Sequence, residues 1–173
     1  MSSRTRIAAA SLALSAAGFV GIMASEGWTD RAVVPVQGDR WTVGPGLTMR
    51  EDGTPVQPGD TVTPPEGIRR SLAHIQADEH GLRRCVTAPL YQVEYDLLVD
   101  HAYQYGSART CASSIVRRAN AGDYRGSCEA YTSWRFAGGY DCSTLIDGKP
   151  NRRCWGVWTR SMERRDRCLE AQQ

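Results

Sequence analysis

The sequence predicts an α+β domain in which a small antiparallel hairpin sheet sits beside a mainly helical lobe. Three observations carry that reading. Between Ala32 and Thr61 short apolar runs alternate with Gly, Pro and Asp turns. From Thr63 onward apolar residues recur at helical spacing. A chain of 173 residues, 41% hydrophobic and 23% charged, has the size and composition of one globular domain. Its formal charge of +2 is too small for phosphate contacts to dominate, so no nucleic-acid partner is expected.

In the front region, Ala32-Val33-Val34-Pro35-Val36 leads through Gln37-Gly38-Asp39 into Trp41-Thr42-Val43-Gly44. Glycine beside aspartate between two apolar runs is a hairpin signal. Glu51-Asp52-Gly53 and Gln57-Pro58-Gly59-Asp60 mark two further turns. Thr63-Pro64-Pro65-Glu66 reads as a capping box, with Thr63 as N-cap and Glu66 reaching back. Ile68, Leu72, Ile75 and Leu82 then follow at helical spacing. A second helix is predicted from about Tyr91 to Tyr105, with Val93, Leu97 and Leu98 inward and Gly106 as its stop. Shorter helices fit Ser113–Ala121 and Tyr124–Phe136, residues 139–151 read as loop, and the last helix spans about Gly156–Glu170.

The six cysteines, Cys85, Cys111, Cys128, Cys142, Cys154 and Cys168, all fall in the second half and form no Cys-x-x-Cys pair. His74, His80 and His101 supply no His-Glu-x-x-His arrangement, so no metal or other cofactor is expected. Three disulfides in an oxidising compartment are the better reading. Cys142 and Cys154 flank a turn-rich loop, and Cys111 and Cys128 bracket one short helix and its return. The expected bridges are therefore Cys142–Cys154, Cys111–Cys128 and, by remainder, Cys85–Cys168.

The N-terminus points to export. Arg4 and Arg6 precede an uncharged run from Ile7 to Ala24, about 27 Å long as a helix and barely able to span a bilayer. Its apolarity is weak, and Ala9, Ala13, Ala17, Gly21 and Ser25 place small residues along one helical face, a stripe suited to close helix packing. Three readings stand: a signal peptide cleaved after Ala17, a permanent anchor, or a marginal anchor that later leaves the bilayer.

The chemistry concentrates in two places. Glu26 ends the apolar segment, where partial desolvation would favour its protonated form. Asp39 lies in a polar turn that would leave it ionised, and Thr42 opens the next strand with a hydroxyl able to hold a water. A protonated acid, a charged carboxylate and a positioned water are the parts of inverting glycoside hydrolysis, for which the carboxyls stand about 6.5–9.5 Å apart.

At these residues the sequence resembles the phage-type lysozymes of glycoside hydrolase family 24, from about Gly18 to Cys168. The pattern is Glu26-Gly27, then Ala32-x-x-Pro35-Val36-x-Gly38-Asp39, then Thr42-x-Gly44-x-Gly46-x-Thr48. Later blocks agree: Cys85-Val86 to Pro89-Leu90, Glu94-Tyr95-Asp96 with Leu98, Asn120 to Tyr124, and Trp134 with Ala137-Gly138-Gly139. The resemblance implies a lysozyme-like fold and a muramidase cutting the β-1,4 bond between N-acetylmuramic acid and N-acetylglucosamine of peptidoglycan glycan strands. It implies Glu26 as general acid and Thr42 as the water's holder. The family's second acid commonly stands nine residues after the glutamate, where this chain has Pro35. One extra residue in the turn moves that role to Asp39, with Asp30 as the competitor. Arg160 matches a family arginine able to pair with the glutamate, and Trp41 is the tryptophan nearest the cleft.

The resemblance extends to endolysins with a signal-arrest-release N-terminus, exported as an anchor and freed uncleaved. It divides the chain into a signal-anchor segment, residues 1–24, and a catalytic domain, residues 25–173. It implies a host inner-membrane tether through residues 7–24, followed by a soluble periplasmic monomer whose small-residue stripe packs on the helical lobe. The contrasting expectation, kept open by Pro35, is a secreted peptidoglycan-binding protein on the same scaffold without catalysis.

Overall fold

The computed structural model describes residues 5–35 and 38–173. Arg4 and residues 36–37 of the predicted hairpin lie outside them. Strand β1 (Ile7–Ala8) opens the chain, followed by a 3₁₀ turn (Ala9–Ser11) and helix α1 (Ala16–Glu26). Strands β2 (Thr29–Val33) and β3 (Thr42–Gly44) form the front hairpin, antiparallel with Val33 opposite Thr42. Helix α2 (Pro64–Leu82) leads to β4 (Pro89–Leu90), which pairs with β1. Helices α3 (Gln92–Tyr105), α4 (Ser107–Cys111), α5 (Ser114–Asn120) and α6 (Tyr124–Glu129) complete the lobe. Two short hairpins, β5 (Phe136–Ala137) with β6 (Tyr140–Asp141) and β7 (Leu145–Ile146) with β8 (Lys149–Pro150), precede α7 (Trp155–Glu170).

Two cores result. The larger gathers Ile22, Ile75, Leu82, Tyr95, Leu97, Leu98, Ile115 and Val116, placing α1, α2, α3 and α5 around one interior. The smaller, under the front hairpin, holds Val43, Leu47, Val56 and Val62.

The N-terminal run is not one helix. Its chain breaks at residues 12–15, where the helical lobe supplies the partners that a continuous helix would supply itself. Leu14 N donates to Glu79, and Ser15 donates to Asp96 through both its backbone N and its hydroxyl. Ser15 Oγ also accepts from Gly18 N, capping α1. Ahead of the break, the Arg6 guanidinium bonds Glu94 and lies over the Tyr91 and Tyr124 rings. The face of α1 that packs is Gly18 and Ile22 with Leu14 beside it; of the small-residue stripe Ala9, ahead of the helix, is buried while Ala13, Ala17 and Ser25 are exposed.

Other elements depart from expectation for local reasons. Thr63 makes no side-chain cap, and Glu66, instead of reaching back to it, turns to Arg70 one turn on. The buried stripe of α2 is Gly67, Ser71, Ile75 and Leu82, while Ile68 and Leu72 are exposed. Gly67 decides that rotation, since a Cβ there would stand 2.6 Å from the Trp28 ring. The helix predicted to Phe136 ends at Glu129 and continues only as a 3₁₀ turn (Ala130–Ser133). The predicted loop of residues 139–151 is drawn into the two short hairpins.

The bridges are Cys85–Cys111, Cys128–Cys168 and Cys142–Cys154, with Cα separations of 5.7, 5.4 and 5.1 Å. This corrects the expected Cys85–Cys168 and Cys111–Cys128 pairs. The reason is α4, the helical turn not anticipated after Gly106. Ser107 seats against Gly81 and donates to Asp78, carrying Cys111 back to the turn after α2 where Cys85 lies. Cys128 on α6 is then left facing α7 and Cys168.

Two glycines of α1 separate the packed face from the open one. At Gly18 a Cβ would meet Asp96 at 2.8 Å and Leu14 at 2.7 Å; at Gly21 it meets nothing within 4 Å. Gly18→Ala is expected to destabilise the protein by about 1–3 kcal/mol. Gly21→Ala is expected to stabilise it by about 0.5–1 kcal/mol, because helical glycine gives up backbone entropy. Urea unfolding of both variants measures the contrast.

Candidate functional site

Glu26 is the last residue of α1, and Gly27 (φ 71°) turns the chain out of the helix toward β2. A second turn meets the glutamate from the front lobe. Gly44 and Gly46 have φ of 62° and 79°, conformations that favour glycine. A Cβ on Gly46 would also stand 3.0 Å from Glu26 Oε2, so the backbone of this turn approaches the carboxylate directly. The Tyr103 hydroxyl, from α3, donates to Pro45 O at 2.9 Å and pins the turn. Burial pushes that phenol's pKa up, opposed by its bond with Ser71 and assisted by the Glu26 charge.

The other carboxylate oxygen meets α7. Arg160 Nη1 donates to Glu26 Oε1 at 2.7 Å, and its Nη2 donates to Asp100 Oδ1 at 2.6 Å. Arg164 Nε donates to Asp100 Oδ2 at 2.5 Å, and Arg164 Nη2 to the Asp100 carbonyl. Four charged groups of alternating sign thus run in a row from the end of α1 through α7 to α3. Arg164 is 2% exposed, so this is a buried network rather than a surface pair. Burial works against the Asp100 carboxylate, but Arg164 and then Arg160 outweigh it and hold the pKa below the ordinary aspartate value. The surroundings of Glu26, at the end of the apolar segment, are therefore a guanidinium and a glycine turn.

The remaining predicted residues occupy the front lobe. Thr42 is half-buried at the start of β3, with its hydroxyl 3.4 Å from the carbonyls of Val33 and Arg40. Asp39 is exposed in the turn that leads to β3, and Asp30 is exposed on β2. Trp41 is half-buried against the small core of Val43 and its neighbours. Arg160, matched in sequence to an arginine able to pair with the glutamate, has both guanidinium arms engaged, by Glu26 and by Asp100. Among the described residues, no group of three or more His, Cys, Asp or Glu side chains is placed to hold a metal ion.

Sequence reasoning missed Asp100, Arg164 and Tyr103. One signal was present: an aspartate following directly on Leu97-Leu98-Val99 in a predicted core helix demands a partner, and Arg160 and Arg164 share one helical face at i, i+4.

His101, next along α3, gives this neighbourhood a pH response. It is fully buried, its Nδ1 bonded to Thr110 and its ring packed edge-on to Trp134. Burial, reinforced by Arg164, holds its pKa well below the ordinary histidine value. The unfolded chain therefore takes up a proton below about pH 6.5 that the folded chain refuses, and stability falls as pH drops through that range. Below about pH 4 the unfolded chain also protonates Asp100 more readily than the folded one, adding to the loss. His101→Phe is expected to flatten the first decline and leave the second. Chemical denaturation from pH 7.5 to 3.5 reads both.

Comparison with known proteins adds the family context. The phage lysozyme family model matches residues 23–154. A SAR-endolysin of Escherichia phage N15 is 33% identical over 132 residues, covering 73% of this chain and 67% of that protein. A SAR-endolysin of Escherichia phage 933W is 30% identical over 128 residues, covering 68% and 72%. Among solved structures, an endolysin from Escherichia coli O157:H7 phage FAHEc1 superposes with a TM-score of 0.75. It is 26% identical and the match covers 93% of this chain and 96% of that one.

Proposed function

The chain belongs to the phage lysozyme family and is a lytic muramidase acting on peptidoglycan; from that premise we propose that Glu26 is its general acid, working with Asp39 and Thr42. The observation that carries the proposal is the placing of Glu26. Its carboxyl is bonded to Arg160 and faces the closely approaching Gly44–Gly46 turn, at the junction of the helical and front lobes. A carboxyl so fixed is suited to deliver a proton to the glycosidic oxygen as the bond breaks. Thr42 opens the strand that runs into this turn, and among the described residues its hydroxyl is engaged by two long contacts, leaving it able to orient a water. Asp39 is the charged group that draws the proton from that water, while Asp30, on β2, is the competing position. With water attacking the face opposite the leaving group, the sugar's anomeric configuration inverts. Arg160 orients Glu26 rather than binding sugar, and Trp41 supports the cleft wall from the small core.

Clearing of purified peptidoglycan tests these roles. Glu26→Gln is expected to lose at least about 100-fold in rate with its unfolding transition retained. Asp39→Asn is expected to lose activity and Asp30→Asn to keep it. Product whose anomeric form matches the substrate bond would sink the inverting mechanism. Clearing by Glu26→Gln at the wild-type rate would sink the assignment of the acid.

We further infer that the N-terminal segment carries the enzyme across the host inner membrane and then leaves it to act in the periplasm, with residues 1–24 the signal-anchor and 25–173 the catalytic domain. No helix among the described residues is long and apolar enough to cross a membrane. The tethered form is therefore a different conformation, with the run from Ile7 drawn into one helix and Glu26 withheld from Arg160. The docked form is supported by the capture of Arg6, Leu14 and Ser15 by Glu94, Glu79 and Asp96. The mass of the active periplasmic protein is expected to be that of the uncleaved chain, and fractionation is expected to move it from membrane to soluble on depolarisation. An active species beginning at Gly18 would leave the muramidase intact and end the release model.

A further inference from the structure

We propose that Asp100 is a positioning residue for hydrolysis, setting through Arg160 where the Glu26 carboxyl stands and how much of the guanidinium's charge falls on it. The inference rests on Glu26 being the acid. Asp100 does not touch Glu26; it acts at one remove, from the middle of α3. Its two carboxylate oxygens are divided between Arg160 and Arg164, and Arg160 is divided between Asp100 and Glu26. Among the described residues those two acids are the only hydrogen-bond partners of Arg160, and its Nε is buried without one. Without Asp100 the guanidinium has a single anchor, the glutamate it is meant to orient.

Charge balance makes the same point. The row of Glu26, Arg160, Asp100 and Arg164 is neutral as two acids and two bases. Losing the Asp100 charge leaves one anion, Glu26, facing two cations, and this favours the ionised carboxyl over the protonated acid. Arg160 from α7 and Tyr103 from α3 face Glu26, while the front-lobe turn offers it only backbone at Gly46. Around Asp100 the charged groups are Arg160 and Arg164, with His101 kept neutral by burial. Asp96, Glu163 and Arg167 border a cavity of about 30 Å³ behind the row, which Asp100 and both arginines also line.

The test is steady-state hydrolysis of solubilised peptidoglycan across pH by wild type, Asp100→Asn, Asp100→Glu, the double variant D100N/R164M and Glu26→Gln. Asp100→Asn is expected to lower kcat about tenfold with KM within about twofold. It is also expected to move the alkaline limb of the pH–rate profile to lower pH, because the protonated acid is lost sooner. Asp100→Glu, which keeps the charge, is expected to bring the limb back. Arg164 left buried without an anion endangers folding, and D100N/R164M removes both charges together. The same fall in kcat is expected in that folded double variant. Wild-type kcat and an unmoved limb in a folded variant lacking Asp100 would overturn the proposal, as would a loss confined to KM or to thermal stability. Wild-type activity in Glu26→Gln would instead strike the assignment of the acid, and the role of Asp100 with it.

Discussion

The bond between Arg160 and Glu26 is the contact on which the rest of the site depends. It joins the end of α1 to α7, two helices 134 residues apart in sequence, and Asp100 ties the same arginine to α3. Arg164, almost wholly buried, is tolerable only because Asp100 accepts from it. A network of this kind adds little net stability against a well-packed apolar alternative, but it is intolerant of a missing member. That intolerance confers geometric definition. Helices that must meet at a fixed set of hydrogen bonds cannot slide past one another without unpairing a charge.

The front lobe reaches the same point by another route. Its core of four aliphatic side chains is too small to set a carboxylate's position by bulk. Backbone proximity substitutes for bulk: Gly46 lets the turn approach Glu26 more closely than any residue with a Cβ, and Tyr103 fastens that turn to the helical lobe. The glutamate is thus bonded to a charged partner through one oxygen and faces the close-approaching glycine turn with the other.

The N-terminal segment belongs to the same construction. Ile22 lies in the main core and Gly18 lets α1 settle onto Asp96, so the helix that presents Glu26 is seated by the segment before it. Glu79, Glu94 and Asp96 receive donors from residues 6–15. Three carboxylates of low exposure on the lobe are therefore satisfied by a stretch of chain whose composition also suits a membrane. A weakly apolar, small-residue run of this kind is what the proposed release from the membrane requires, since neither its length nor its hydrophobicity commits it to lipid.

The sequence by itself determined the fold class, the front hairpin, the course of the three long helices, and Glu26, Thr42 and Arg160 as residues worth finding. The elements are written in short-range signals, turn residues and apolar period, whereas Thr42 and Arg160 were singled out by the family resemblance. Tertiary structure alone decided the rest. Asp100 and Arg164 look like ordinary helix polar residues until α3 and α7 are brought together. Two of the three bridges turned on α4, a single helical turn after a glycine that reads as a stop, and which face of α1 packs was settled by Asp96 from another helix. Pairings between distant segments depend on how elements dock, and docking is chosen by the summed burial and satisfaction of many groups at once. No local pattern records that sum.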